Sequence, residues 1–167
     1  NNIIYQRLNL NVNPNVDYID GKVTTYFIAE SSINYIEFDL SDSLSVDSVV
    51  YHNASVSFTH SSDIIHINFL SPVLSGQTDS ISVFYQGVPS GSGFGSFVQN
   101  YHDSVPIIWT LSEPYGAKDW WPCKQDLSDK LDSIDVLVTA PDSFKTASND
   151  LLVDVIHNGN LNTYHWK

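Results

Sequence analysis

Apolar and polar residues alternate along most of this chain in short runs, the period of two that sends successive side chains to opposite faces of a strand. Tyr35-Ile36-Glu37-Phe38-Asp39-Leu40 shows the pattern plainly, with acids on one side and apolar residues on the other. The same reading predicts strands over 3–12, 22–29, 46–51, 55–59, 64–69, 80–85, 105–111, 134–140, 143–147, 151–156 and 161–166. Asn13-Pro14-Asn15, Asp20-Gly21 and Asn158-Gly159 are the turn signals, the last as a hairpin. Strands separated by turns at intervals of about ten residues predict an all-β sandwich or barrel.

One stretch breaks the pattern. Trp109 to Lys130 carries three of the four tryptophans and the only cysteine, with Pro114 and Pro122 among mixed charges. Trp120 and Trp121 would point to opposite sides of a strand, so Gly116 to Trp121 is read as a short helical turn. Pro122 closes it, because the residue before a proline is pushed out of the helical region. Glu113 then falls where the strand over 105–111 delivers the chain into a loop. A carboxylate carried there is placed to meet a ligand, although strand-end acids are most often simply solvated.

Composition narrows the classes. The chain has 167 residues, 42% of them apolar and 13% aromatic, enough for one domain with a full core and too aromatic for disorder. The net charge of −12, with no basic block, argues against nucleic acid or an anionic membrane surface as partner. No apolar run approaches the ~18 residues of a membrane-spanning helix, and residues 1–15 lack the layout of a signal peptide. Asn/Ser-rich, lysine-poor strands suit a secreted or cell-envelope protein of a bacterium. A lone Cys123 makes no internal disulfide and is read as a small buried hydrophobe. Asn53-Ala54-Ser55 matches a glycosylation sequon, a pattern short enough to arise by chance.

Several motifs carry no chemistry of their own. Gly87 to Phe97 holds four glycines within nine residues, but no Lys-Ser/Thr pair and no helix follows, so it is read as a connection pinned to the core by Phe94 and Phe97. The histidines never form H-E-x-x-H, and His60 and His66 are read as surface residues flanking a turn. Asp126, Asp129, Asp132 and Asp135 recur every three residues without the glycine and terminal Glu of a calcium loop. No Ser-His-Asp arrangement stands out.

Trp109 to Lys130, followed by Ser133-Ile134-Asp135-Val136-Leu137-Val138-Thr139-Ala140-Pro141, resembles the N-terminal domain of the gluzincin zinc aminopeptidases, the alanyl aminopeptidase and leukotriene hydrolase family. There a strand ends in Gln-x-Gln/Glu-Ala, then come an Arg, aromatic-Pro-Cys-x-Asp-x-Pro-x-x-Lys, and a strand closing on Ala-Pro. Aligned on Pro122-Cys123, Glu113 takes the second signature position and Lys130 keeps its spacing. Leu111, Pro114, Lys118, Gln125 and Leu127 replace the family's Gln, Ala, Arg, Asp and Pro.

The resemblance implies a large twisted β-sandwich or saddle-shaped sheets. It also implies that residues 1–167 are a single N-terminal domain, truncated inside a strand before its last strands. The zinc and the chemistry of peptide-bond hydrolysis would then lie in a catalytic domain absent from this chain, leaving this domain without catalytic or metal-binding residues of its own. Its partners would be that domain and a peptide substrate, whose free amino group Glu113 would help hold. The alternative is a non-catalytic β-sandwich module that binds carbohydrate or protein, with Tyr115, Trp120 and Trp121 stacking on sugar.

Overall fold

Asn13 closes the first turn: its carbonyl accepts the Val16 N–H at 2.8 Å and its side chain accepts the Asn15 N–H at 3.1 Å. That turn joins β1 (Asn2–Val12) to β2 (Ile19–Ile28) as an antiparallel pair. The computed structural model describes residues 1–91, 95–126 and 128–167, and among these it has 13 strands and one short 3₁₀ turn.

An eight-stranded sheet grows outward from β1 and β2. On one side β8 (Thr78–Gly87), β4 (Leu44–Tyr51) and the short β5 (Ala54–Ser55) follow in antiparallel order. On the other side β11 (Ser133–Pro141) runs parallel to β1, then β13 (Leu161–Trp166) and β12 (Leu152–Asn158) complete the order β12-β13-β11-β1-β2-β8-β4-β5. A second sheet has the order β3 (Ile33–Asp39), β7 (Ile64–Val73), β6 (Phe58–Ser61). A separate hairpin pairs β9 (Phe97–His102) with β10 (Val105–Thr110).

Alternate residues of the two larger sheets share one core. Leu8, Ile19, Val23, Phe27, Ile81, Val83 and Tyr85 come from the large sheet, and Ile36, Phe38, Ile65 and Ile67 from the three-stranded one. Each fully buried side chain of this kind contributes about 1.5–3 kcal/mol of transfer free energy, so the pairing of the two inner faces is the main source of stability. Gln6 is the polar exception on β1; it is buried and donates from Nε2 to Thr25 Oγ1 at 2.9 Å, which removes the cost of an orphan amide.

The all-β sandwich expectation holds, and several boundaries move. Asp20-Gly21 is not a turn but lies inside β2, because a Cβ on residue 21 would sit 3.1 Å from both Asn9 O and the Tyr85 hydroxyl. Glycine here marks a close approach within a strand. The strand expected over 55–59 is divided between β5 and β6. The strand expected over 143–147 is absent, since β13 side chains bind that segment in place of a ladder: Tyr164 donates to Phe144 O at 3.1 Å and Trp166 Nε1 to Thr146 Oγ1 at 3.0 Å.

The last hairpin turns on Gly159-Asn160, one residue later than expected, with Asn158 still paired to Leu161. Three other hairpins turn on two non-glycine residues of positive φ, His52-Asn53, Ser62-Asp63 and Asp103-Ser104. Asn53 of the sequon is exposed on one of them. The long connection over 87–97 ends in an unforeseen strand, β9, whose Gln99, Asn100 and His102 hid its periodicity. Phe97 is buried as expected, and Phe94 lies outside the described residues.

Candidate functional site

The aromatic stretch is a loop clamped to the sandwich at several points. β10 stops at Thr110, and the Leu111 N–H still donates to Ser96 O at 3.1 Å. Gly116 then donates to Ser112 O at 3.0 Å and leads into the 3₁₀ turn Ala117–Asp119, the short helical element expected over 116–121. Trp120 Nε1 donates to Ser112 Oγ at 3.1 Å, and the Tyr85 hydroxyl, on the core side of β8, donates to Trp120 O at 2.9 Å. Cys123 and Asp39 exchange backbone hydrogen bonds of 3.0 and 2.7 Å, tying the loop to the end of β3. Burial pushes the Cys123 thiol far up, so it is a packing residue and not a nucleophile.

Glu113 lies at the crest of this loop. It is exposed, and it makes no hydrogen bond or ion pair among the described residues; the peptide bond to Pro114 is cis. Its neighbours Leu111 and Tyr115 are exposed, as is Trp109 on β10. The arrangement is an exposed carboxylate, without a partner among the described residues, beside exposed apolar side chains. Trp120 and Trp121 are half-buried against the core and meet at 6.0 Å with an interplanar angle of 60°, so they offer a sugar ring no single flat face.

Lys118, next to the 3₁₀ turn's buried Asp119, is held in an ion pair. Its Nζ lies 2.7 Å from Asp63 Oδ2, and Asp63 and Asp42 each accept the other's backbone N–H, at 2.9 and 3.1 Å. The Lys118 hydrogen bond holds the Asp63 carboxyl below the usual range, and Asp63 in turn raises Lys118. A depressed carboxyl contributes stability above its unfolded pKa of 3.8 and loses it as pH falls through the lower folded value. Both side chains are about one-third exposed, which limits the pair to roughly 0.5–1 kcal/mol. Lys118→Met is therefore expected to lower the melting temperature at pH 6 by a few degrees and to differ little from the parent near pH 2. A gap of equal size at both pH values would show that the methylene stem, not the charge, does the stabilising.

Sequence reasoning missed Asp119. It is 3% exposed, accepts the Ser90 hydroxyl at 3.1 Å, and accepts a short hydrogen bond from the Ser96 hydroxyl. Its signal was thin, a single Asp among aromatics whose partners lie more than twenty residues upstream.

A groove of about 540 Å³ runs between β10, the inner face of β1 and β11, and residues 144–149; Leu10, Val136, Val138, Trp109 and Trp120 line it, and Lys145 is its charged residue. The four aspartates over 126–135 do not converge: Asp126 binds Ser128, Asp129 binds Lys124 and Asp135 binds His165. His60 and His66 have separate partners, Leu40 O and Glu37.

The fold has known counterparts. The chain is similar to a mutant M1 zinc metallopeptidase from Deinococcus radiodurans bound to a Tyr-Ser-Ala substrate, with a TM-score of 0.88 and 24% identity over 99% of this chain and 38% of that one. It is similar to the M1 zinc metallopeptidase of the same organism at a TM-score of 0.87 and 24% identity, with the same coverage. A two-domain M1 zinc metallopeptidase mutant bound to L-arginine matches at 0.87 and 23%, over 99% of this chain and 38% of that one. No family model and no curated protein matches the sequence. The chain thus has the all-β fold found within M1 zinc metallopeptidases, and it spans 38% of the length of those structures. Among the described residues no group of three or more His, Cys, Asp or Glu side chains comes together that could hold a metal ion.

Proposed function

We propose that this chain is the substrate-capping domain of a zinc aminopeptidase, and that Glu113 receives the N-terminal ammonium of the peptide. The observation that carries the reading is the likeness over nearly the whole chain to a metallopeptidase whose structure holds a Tyr-Ser-Ala substrate. The site agrees with it. An ammonium seeks an acceptor whose charge is not already committed, and Glu113, which has no partner among the described residues, is carried on a loop that follows the end of β10.

In this reading a second domain of the parent protein holds the zinc, which would polarise the scissile carbonyl and activate water. The residues of this chain bind and orient. Glu113 makes a charge-assisted hydrogen bond with the ammonium, and Trp109 and Leu111 wall the first side chain of the substrate. Water excluded by those walls strengthens the ion contact, worth about 1.5–3 kcal/mol when shielded. That preference selects free over acylated N termini.

The test compares the 167-residue chain with the full-length protein on an aminoacyl anilide. Expected is hydrolysis by the full-length protein, lost on chelation, and none by this chain alone. Chelator-sensitive hydrolysis by this chain would refute the assignment of chemistry to another domain, and an inert full-length protein would refute the aminopeptidase reading.

A further inference from the structure

Among the described residues Glu113 has no hydrogen-bond or ion-pair partner to aim it, so the loop that carries it sets its direction. The segment from Leu111 to Gly116 starts from a hydrogen bond to one buried residue, Ser96, and returns to pack against it; Ser96 is 1% exposed. Ser96 O accepts the Leu111 N–H at 3.1 Å. Its side chain lies so close to Gly116 that a Cβ there would stand 2.7 Å from Ser96 Cβ, while the Gly116 N–H returns to Ser112 O at 3.0 Å. Ser96 is in turn held by Asp119: one carboxylate oxygen accepts the Ser96 hydroxyl, and the other accepts Ser90, whose carbonyl also takes the Ser96 hydroxyl at 3.2 Å.

We infer that Asp119 is a positioning residue for Glu113, a buried carboxylate that fixes the amine-binding loop through Ser96. The inference rests on the reading of Glu113 as the amine acceptor. The chemistry favours an Asp at 119 because two hydroxyl donors among the described residues converge on it, and its side chain offers an acceptor oxygen to each. An apolar side chain would remove the shorter of the two bonds of the buried Ser96 hydroxyl, leaving it the Ser90 carbonyl at 3.2 Å, and would leave the part-buried Ser90 hydroxyl to Ser41 Oγ at 3.0 Å, so Ser96 would be less firmly seated against Gly116. A displacement of about 1 Å at the tip of such a loop costs as much as a hundredfold in rate when the group is aligned with a reacting substrate. The expected size here is smaller, because the ends of the loop keep their backbone bonds.

The experiment uses the full-length enzyme and two competitive inhibitors, a dipeptide analogue with a free α-amine and its des-amino counterpart. Asp119→Ala is expected to raise KM for free peptides and weaken the amine-bearing inhibitor by about tenfold. Affinity for the des-amino inhibitor, which keeps only the wall contacts of Trp109 and Leu111, should fall clearly less, and Asp119→Ala in a Glu113→Ala background should cost clearly less than in the parent, since no carboxylate remains to be aimed. Asp119→Asn, which keeps one acceptor, should fall between. If Asp119→Ala does not fold, Ser96→Ala gives the same pattern at about threefold.

Equal loss for both inhibitors, equal loss in both backgrounds, or no loss from either substitution would overturn the inference. A Glu113→Ala single variant without effect on amine-bearing ligands would instead refute the amine-acceptor reading on which it stands, so the two failures are distinguishable.

Discussion

On the proposed reading of Glu113 as the amine acceptor, Glu113→Ala in the full-length protein is expected to lower kcat/KM for peptides with a free N terminus by about one to two powers of ten, corresponding to roughly 1.5–3 kcal/mol. Glu113→Gln separates charge from shape. The amide keeps the reach and one acceptor oxygen but loses the charge that the ammonium seeks, so it should recover only part of the activity. Ligands without an ammonium should bind both variants as they bind the parent. The melting temperature should barely move, because the exposed Glu113 has no partner among the described residues to lose. Unchanged kcat/KM for free peptides would return Glu113 to the solvated state usual for a strand-end acid.

The largest stability effect is expected at Phe27. It is 0% exposed on the inner face of β2, its ring stacks 6.2 Å from that of Phe69 on β7, and it belongs to the cluster that joins the two large sheets. Phe27→Ala removes the ring's transfer free energy and leaves a cavity that two facing sheets cannot easily close, a cost of about 3–5 kcal/mol. Phe84 is the internal control. It is half-buried on β8, with Lys22 Nζ 5.3 Å above its ring, and Phe84→Ala should cost clearly less. Urea unfolding of the isolated chain measures both. A loss at Phe27 no larger than at Phe84 would mean that the two sheets do not share a dry core.

The sandwich was legible because strand periodicity is local. The run from Tyr35 to Leu40 declares two faces whatever lies opposite, and the Leu161–Trp166 strand is found where its pattern places it. The candidate acid was legible from order along the chain, with Glu113 at a fixed distance before Pro122-Cys123. Errors fell where the controlling contact comes from afar. Asp20-Gly21 has the composition of a turn, yet Tyr85 on β8 fills the space over Gly21 and keeps it in a strand. Residues 143–147 have the composition of a strand, yet Tyr164 and Trp166 take their polar groups first.

By itself, then, the sequence determined the class of fold, the loop that interrupts it and the acid that the loop exposes, all of them consequences of neighbours within a few residues. Tertiary structure alone decided how that loop is held. The parallel pairing of β1 with β11, the ion pair of Lys118 with Asp63 and the seat of Asp119 against Ser90 and Ser96 join residues that are remote in the chain. The physical reason is that a buried carboxylate or an ion pair has no periodicity to betray it: its partner is chosen by which strands come to lie side by side, and only the packed sheets settle that.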